Sequence, residues 1–187
     1  MDLVSRVKGM LLNPKSEWTA VAEEPTSVAA LYSGWIVPMA AIPAVCGFIG
    51  FSIVGTSILG TAWRRPMGAG IESAVVSYAL SLVMIYVLSL IINALAPNFG
   101  GEKDPVQALK VAAYSATASW VGGVFMLLPS LAIISVLFAL YSLYLLFLGL
   151  PRLMKSPEDK AVGYTVVVVL CVIVLGVVVG AVGRLVV

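Results

Sequence analysis

From Ala161 to Gly183 the chain reads AVGYTVVVVLCVIVLGVVVGAVG, without one charged side chain. At about 1.5 Å of rise per residue, such a helix covers the roughly 30 Å of hydrocarbon in a bilayer. Three more charge-free tracts follow Glu24, Glu72 and Lys110. An apolar content of 61% against 11% charged residues, and a mean hydropathy of +1.08, then describe a polytopic membrane protein rather than a soluble domain. With 187 residues, nearly all needed for spans, one membrane domain is expected and no second folded unit.

The tract from Val111 to Pro151 would reach about 60 Å as one helix, so it must fold back. Pro129 is the expected bend, because proline opens a helix readily and breaks one from inside; Gly122-Gly123 is the alternative. The expected fold is all-α: a bundle of five transmembrane helices with an N-terminal amphipathic helix. The leader occupies residues 1–28 and the membrane domain 29–187, with spans at 29–59, 71–96, 107–128, 130–150 and 161–182. An odd count separates the termini. Arg6, Lys8, Lys15, Lys103, Lys110, Arg152, Lys155 and Lys160 then share the N-terminal side, against Arg64, Arg65 and Arg184 opposite. Positive residues stay cytoplasmic, so the N terminus is expected in the cytoplasm and the C terminus outside it. The net charge of +2 is too small to imply nucleic-acid binding. Cys46 and Cys171 fall inside spans, where thiols act as small apolar groups. The first apolar tract follows a charged leader of more than twenty residues, so no cleavable signal is expected.

In the leader, Leu3, Val7, Met10 and Leu11 share a helical face, with Arg6 and Lys8 to the side. That face suits either the headgroup region or the end of the bundle. Asn13-Pro14 offers a cap and a first-turn proline for a second short helix, and Trp18 is expected at the interface. Pro38 and Pro43 predict a first span that is kinked, tilted or partly unwound. In the second span Ser73, Ser77, Ser81, Ser89 and Asn93 recur at every fourth position except Ile85. This series winds around the helix and reads as a packing ridge. The Asn93 amide wants partners near hydrocarbon, and with Pro38 and Pro43 it makes a candidate intramembrane polar site. Gly176 and Gly180 form a candidate helix-packing face in the fifth span.

Two loops carry the densest motifs. In PNFGGEKDP, Asp104 is placed to cap and Pro105 to open the next helix, while Gly100-Gly101 permit a tight turn. In KSPEDKA, Ser156 is the expected cap, Pro157 the first residue, and Glu158 and Asp159 face the positive end of the dipole. Capping leaves Phe99, Glu102, Lys103, Lys155 and Lys160 without a structural task, so these five are the candidate contacts for lipid or a partner.

These residues resemble the Yip family, membrane proteins named as interactors of Ypt/Rab GTPases, in its small bacterial branch. The resemblance covers most of the chain. It rests on Asn13-Pro14 with Trp18, Phe99-Gly100-Gly101, Gln107-Ala108-Leu109-Lys110, Ala113-Tyr114-Ser115, Trp120, Tyr141-Ser142-Leu143-Tyr144, Gly149-Leu150-Pro151, and Lys155, Pro157 and Lys160-Ala161. The family pattern usually carries proline close to Ala118; its lack here predicts a straighter third span. The resemblance implies five spans, a cytoplasmic N terminus, residence in the bacterial cytoplasmic membrane and no enzymatic activity.

Two functions compete. One is a non-catalytic organiser of membrane or partner proteins, acting through the cytoplasmic face. The other is a transporter or lipid-moving protein with a polar path near the broken first span. An intramembrane enzyme is the weakest reading: the chain has no histidine, no aspartate at depth and no phosphate loop. No cofactor is expected. The expected partners are membrane lipids and a membrane or cytoplasmic protein, without nucleic acid and with a homo-oligomer left open.

Overall fold

The computed structural model describes residues 2–58 and 61–186 along the backbone, with side-chain surroundings for 2–56 and 63–177. Asn13 divides the leader into α1 (Leu3–Leu12) and α2 (Pro14–Glu23). Pro14 opens α2 as expected, but the Asn13 side chain makes no cap; its backbone carbonyl accepts from Ser16 Oγ instead. Met10, Trp18 and Val21 are buried in the main core, so the hairpin packs on the bundle rather than on headgroups. Trp18 is a core residue, not an interfacial marker. Gly149 makes room for it: a Cβ there would stand 2.7 Å from the indole.

Ser27 caps the first long helix, its Oγ accepting from the Ala30 amide at 3.2 Å. The helix runs Val28–Val54. It comprises α3 (Val28–Leu31), a π turn at Tyr32–Ile36, α4 (Val37–Phe48) and a second π turn at Ile49–Val54. Pro38 sits in the first turn of α4 and Pro43 inside it. Neither has an N–H to bond backward, and widened turns lie on either side of this defective stretch. The span stays helical throughout. A short antiparallel hairpin, β1 (Thr56–Ile58) and β2 (Thr61–Trp63), follows, with Thr56 opposite Trp63. It departs from the all-α expectation in a connection too short for hydrophobic periodicity to report.

α5 (Met67–Leu95) continues through a 3-10 turn at Ala96–Phe99. Tyr78 donates to the Val37 carbonyl at 3.2 Å and Tyr32 to the Leu82 carbonyl at 2.9 Å, fixing its antiparallel register with the first span. The next segment is the centre of the bundle. α6 (Pro105–Ser115) ends at Ala116, α7 (Thr117–Gly122) resumes, and Gly123–Leu127 tightens to 3-10. Every residue from Ala108 to Ser115 is buried. The segment lacks that proline, yet it is not one regular helix. The Ser119 amide donates to Ser142 Oγ at 2.9 Å, and the glycine pair that follows resists regular helix. Pro129 does open a new turn (Pro129–Leu131), before α8 (Ile134–Leu153). A last 3-10 turn, Glu158–Lys160, leads into α9 (Ala161–Val186).

Among the described residues, four helices are long and apolar enough to cross a membrane: Val28–Val54, Met67–Phe99, Ile134–Leu153 and Glu158–Val177. Their outward faces are apolar, with Val75, Leu137, Val174 and Val177 each more than 60% exposed. Helices that satisfy their own backbone can present such a surface to lipid.

Candidate functional site

The two motif-rich loops are built into one another. Gly100 adopts a left-handed conformation, φ +73°, which ends α5 and lets the Gly101 amide bond back to the Ala96 carbonyl at 2.9 Å. The next amide, Glu102, donates to the Met154 carbonyl at 2.8 Å, stitching the first loop to the end of α8. Glu102 and Lys155 then pair at 2.7 Å, both largely exposed. The hydrogen bond from Glu102 holds the Lys155 ammonium above the ordinary lysine range. Asp104 caps α6 as expected, accepting from the Val106 and Gln107 amides at 2.9 and 3.0 Å. Ser156 does not cap. Its hydroxyl is buried with no hydrogen-bond partner among the described residues, and Pro157 takes the N-cap position of the Glu158–Lys160 turn.

Of the five contact candidates, Phe99 has a structural task after all. Its ring stacks on Tyr164 at 4.8 Å and 8°, and Tyr164 is fully buried with its hydroxyl on the Ile92 carbonyl. Lys103 and Lys160 are exposed and form no ion pair among the described residues. The loop face is thus a latched turn with two free cations.

Beneath it lies a cluster of buried charge. Arg6, Glu17 and Lys110 are each at most 8% exposed. Arg6 donates to Glu17 at 2.8 Å and also pairs with Glu24. Lys110 does not snorkel: its ammonium donates to the Val21 and Glu24 carbonyls at 2.8 and 2.7 Å, closing the C-terminal end of α2 where the helix dipole favours a cation. Gln107 Nε2 reaches the Ala22 carbonyl at 3.1 Å, and Arg152 bonds the Lys15 carbonyl. Leader, loops and helix ends therefore form one platform. Its eight bases are balanced there by eight acids, since Glu72 alone of the nine lies at the other end. Gross charge cannot select a partner for this face; local pattern must.

The remaining candidates do not converge. Val37, next to Pro38, stands beside Tyr78, and Asn93 lies fifteen residues further along α5, about 22 Å away. Asn93 Oδ1 is buried without a partner. Pro43 instead meets Gly123, where a Cβ would come within 2.6 Å of its ring. A Cβ at Gly176 would find nothing within 4 Å, so this glycine makes no close contact with the described residues, and the surroundings of Gly180 lie outside them.

The Yip1 domain matches residues 8–180, from the leader to the last span. The chain belongs to the Yip1 domain family. It is 26% identical over 166 residues to the inner membrane protein YohC of Escherichia coli strain K12, covering 87% of this chain and 85% of that one. YohC of Escherichia coli O6:H1 strain CFT073 matches to the same extent. No solved structure matches the chain. A Yip1 domain carried on four helices of membrane-crossing length makes this an integral membrane protein.

Sequence reasoning misses Arg6, Glu17, Glu24 and Lys110 as a unit. A signal does exist for two of them: Glu17, Val21 and Glu24 recur at i, i+4 and i+7, so the acids share a helical face with an apolar residue. Nothing in the sequence names Arg6 as their partner.

Proposed function

We propose that this Yip1-family protein is a non-catalytic organiser in the bacterial inner membrane, presenting its loop face to a protein partner on the cytoplasmic side. The relatives' description as inner membrane proteins supports the location. The positive bias supports the side. One observation carries the reading: the Glu102 to Met154 hydrogen bond, between residues 52 positions apart, makes two loops a single fixed surface. A preformed surface loses little entropy on association, which suits docking rather than transport. The fifth crossing is the central segment, which runs from the Gln107 contact with Ala22 to Met126 beside Gly50, about 30 Å.

Photocrosslinking in native membranes from position 158, exposed on the same loops, tests this. Lys103→Glu with Lys160→Glu should cut the crosslinked species about tenfold while expression and insertion stay normal. Undiminished crosslinks after both reversals would remove the loop face from consideration.

A further inference from the structure

At the opposite end, two cavities abut between the first and second spans. One, of about 170 Å³, is walled by Pro43, Ser52, Arg65, Ser73 and Ser77. The other, of about 430 Å³, is lined by Ala41, Val45, Ile71, Val75 and Tyr78. They share Ala44, Phe48 and Ala74 as a common wall. The first is polar and the second almost wholly apolar.

The polar chamber is a built site. The Arg65 backbone is anchored by its amide to the Phe51 carbonyl at 3.0 Å, and its guanidinium donates to Ser73 Oγ at 2.8 Å. One of its five N–H donors is thereby used, and it forms no ion pair among the described residues. Ser52, 6% exposed, has a hydroxyl with no hydrogen-bond partner. Gly70 lets α5 close over that hydroxyl, since any side chain there would collide with it. A fixed cation, an unpartnered buried hydroxyl and a serine on one chamber are the donors a phosphate oxygen would take.

Depth supplies the rest. Arg65 lies two residues before α5, Ser73 in the second turn of α5 and Ser52 in the last turn of the first span, near the bundle end where headgroups lie. The apolar cleft extends from Ile71 to Tyr78, about 10 Å along α5 toward the middle of the bundle. Val45, Ile71 and Val75 are all more than half exposed on it. A polar head chamber opening beside an apolar tail groove has the profile of a lipid.

We propose that this cleft binds one anionic glycerophospholipid of the leaflet at the Arg65 end. Its phosphate accepts from Arg65, Ser73 and Ser52, and an acyl chain lies between Ala41–Val45 and Ile71–Tyr78. This site is independent of the loop face and of the function proposed for it.

Native mass spectrometry of the whole protein in mild detergent tests the assignment. Phosphatidylglycerol, phosphatidylcholine and inorganic phosphate are titrated separately. Phosphatidylglycerol should be retained about tenfold better than phosphatidylcholine, and inorganic phosphate should not displace it. Arg65→Gln should abolish the preference and Arg65→Lys should restore part of it, while Ala41→Phe, in the tail groove, should weaken both lipids alike. Circular dichroism and elution volume establish that each variant is folded. Equal retention by wild type and Arg65→Gln would overturn the proposal. So would displacement by inorganic phosphate, which makes the chamber a soluble-anion site, or a lipid-free dimer that shields Val45 and Val75, which gives the groove to a second copy.

Discussion

Arg6 is a charged residue at 5% exposure beneath a membrane bundle. Its charge is tolerable there because Glu17 and Glu24 answer it, and because the Tyr114 ring lies 5.8 Å from the guanidinium. Removing one member of such a pair strands the other. Arg6→Met should therefore destabilise the protein by about 3 kcal/mol, whereas Arg6→Met with Glu17→Leu should recover most of that loss. Thermal unfolding in detergent measures the cycle, and trypsin cleavage at Lys8 and Lys15 should quicken only in the single variant, as the leader peels away. Additive losses would mean that the two side chains do not depend on each other. The exposed Glu102–Lys155 pair contributes far less. Lys155 has its pKa raised in the fold. Whatever the pair adds is thus complete below the ordinary lysine pKa and lost as pH climbs through the raised one. Glu102→Gln should therefore lower the melting temperature slightly near neutrality, and that difference should fade above about pH 10. A shift at pH 7 equal to that at pH 11 would contradict this.

Among the elements, what the sequence makes legible follows the strength of its periodicity and charge pattern. The four helices of membrane-crossing length among the described residues are visible as uncharged tracts, because burial in lipid requires their length. The interruption at Ala116 is not visible, for the contact beside it, the Ser119 amide donating to Ser142 Oγ at 2.9 Å, is a tertiary fact. Packing glycines are equally hard to rank from spacing. Gly176 has the more conspicuous motif, yet it has open space around it, while Gly149 carries the Trp18 contact. Gly149→Val should therefore cost about 1–3 kcal/mol by forcing the indole out, and Gly176→Leu should stay within about 0.5 kcal/mol of wild type in the monomer. Chemical unfolding of both variants in one detergent decides the order, and the reverse ranking would mean that the leader is not held through Trp18. The loop site is half legible in the same sense. Asp104 announces its cap through Pro105, but stacking of Phe99 on Tyr164 joins residues 65 positions apart.

For the whole molecule, the decisive property is that one end gathers its charge and the other hardly any. Eight of the eleven bases lie with the leader and the two stitched loops, and the platform joins residues from 6 to 155 through direct polar contacts. Those contacts force 2–24, 102–110 and 152–160 onto the same side, whatever number of crossings is assumed for the central segment. Met126, at the far end of that segment, lies beside Gly50 in the π turn that closes the first span. The chain between Gln107 and Met126 thus traverses the depth that Val28–Val54 traverses, which supports five crossings with the C terminus opposite the leader. Single cysteines at Lys155 and Arg64, placed in a Cys46→Ala, Cys171→Ala background, make this measurable. In intact cells a membrane-impermeant maleimide should label Arg64→Cys and spare Lys155→Cys until the membrane is permeabilised. A third cysteine appended after Val187 should label with Arg64→Cys. If it labels with Lys155→Cys instead, while the other two behave as stated, the last helix, Ala161–Val186, does not cross and the bundle has four spans.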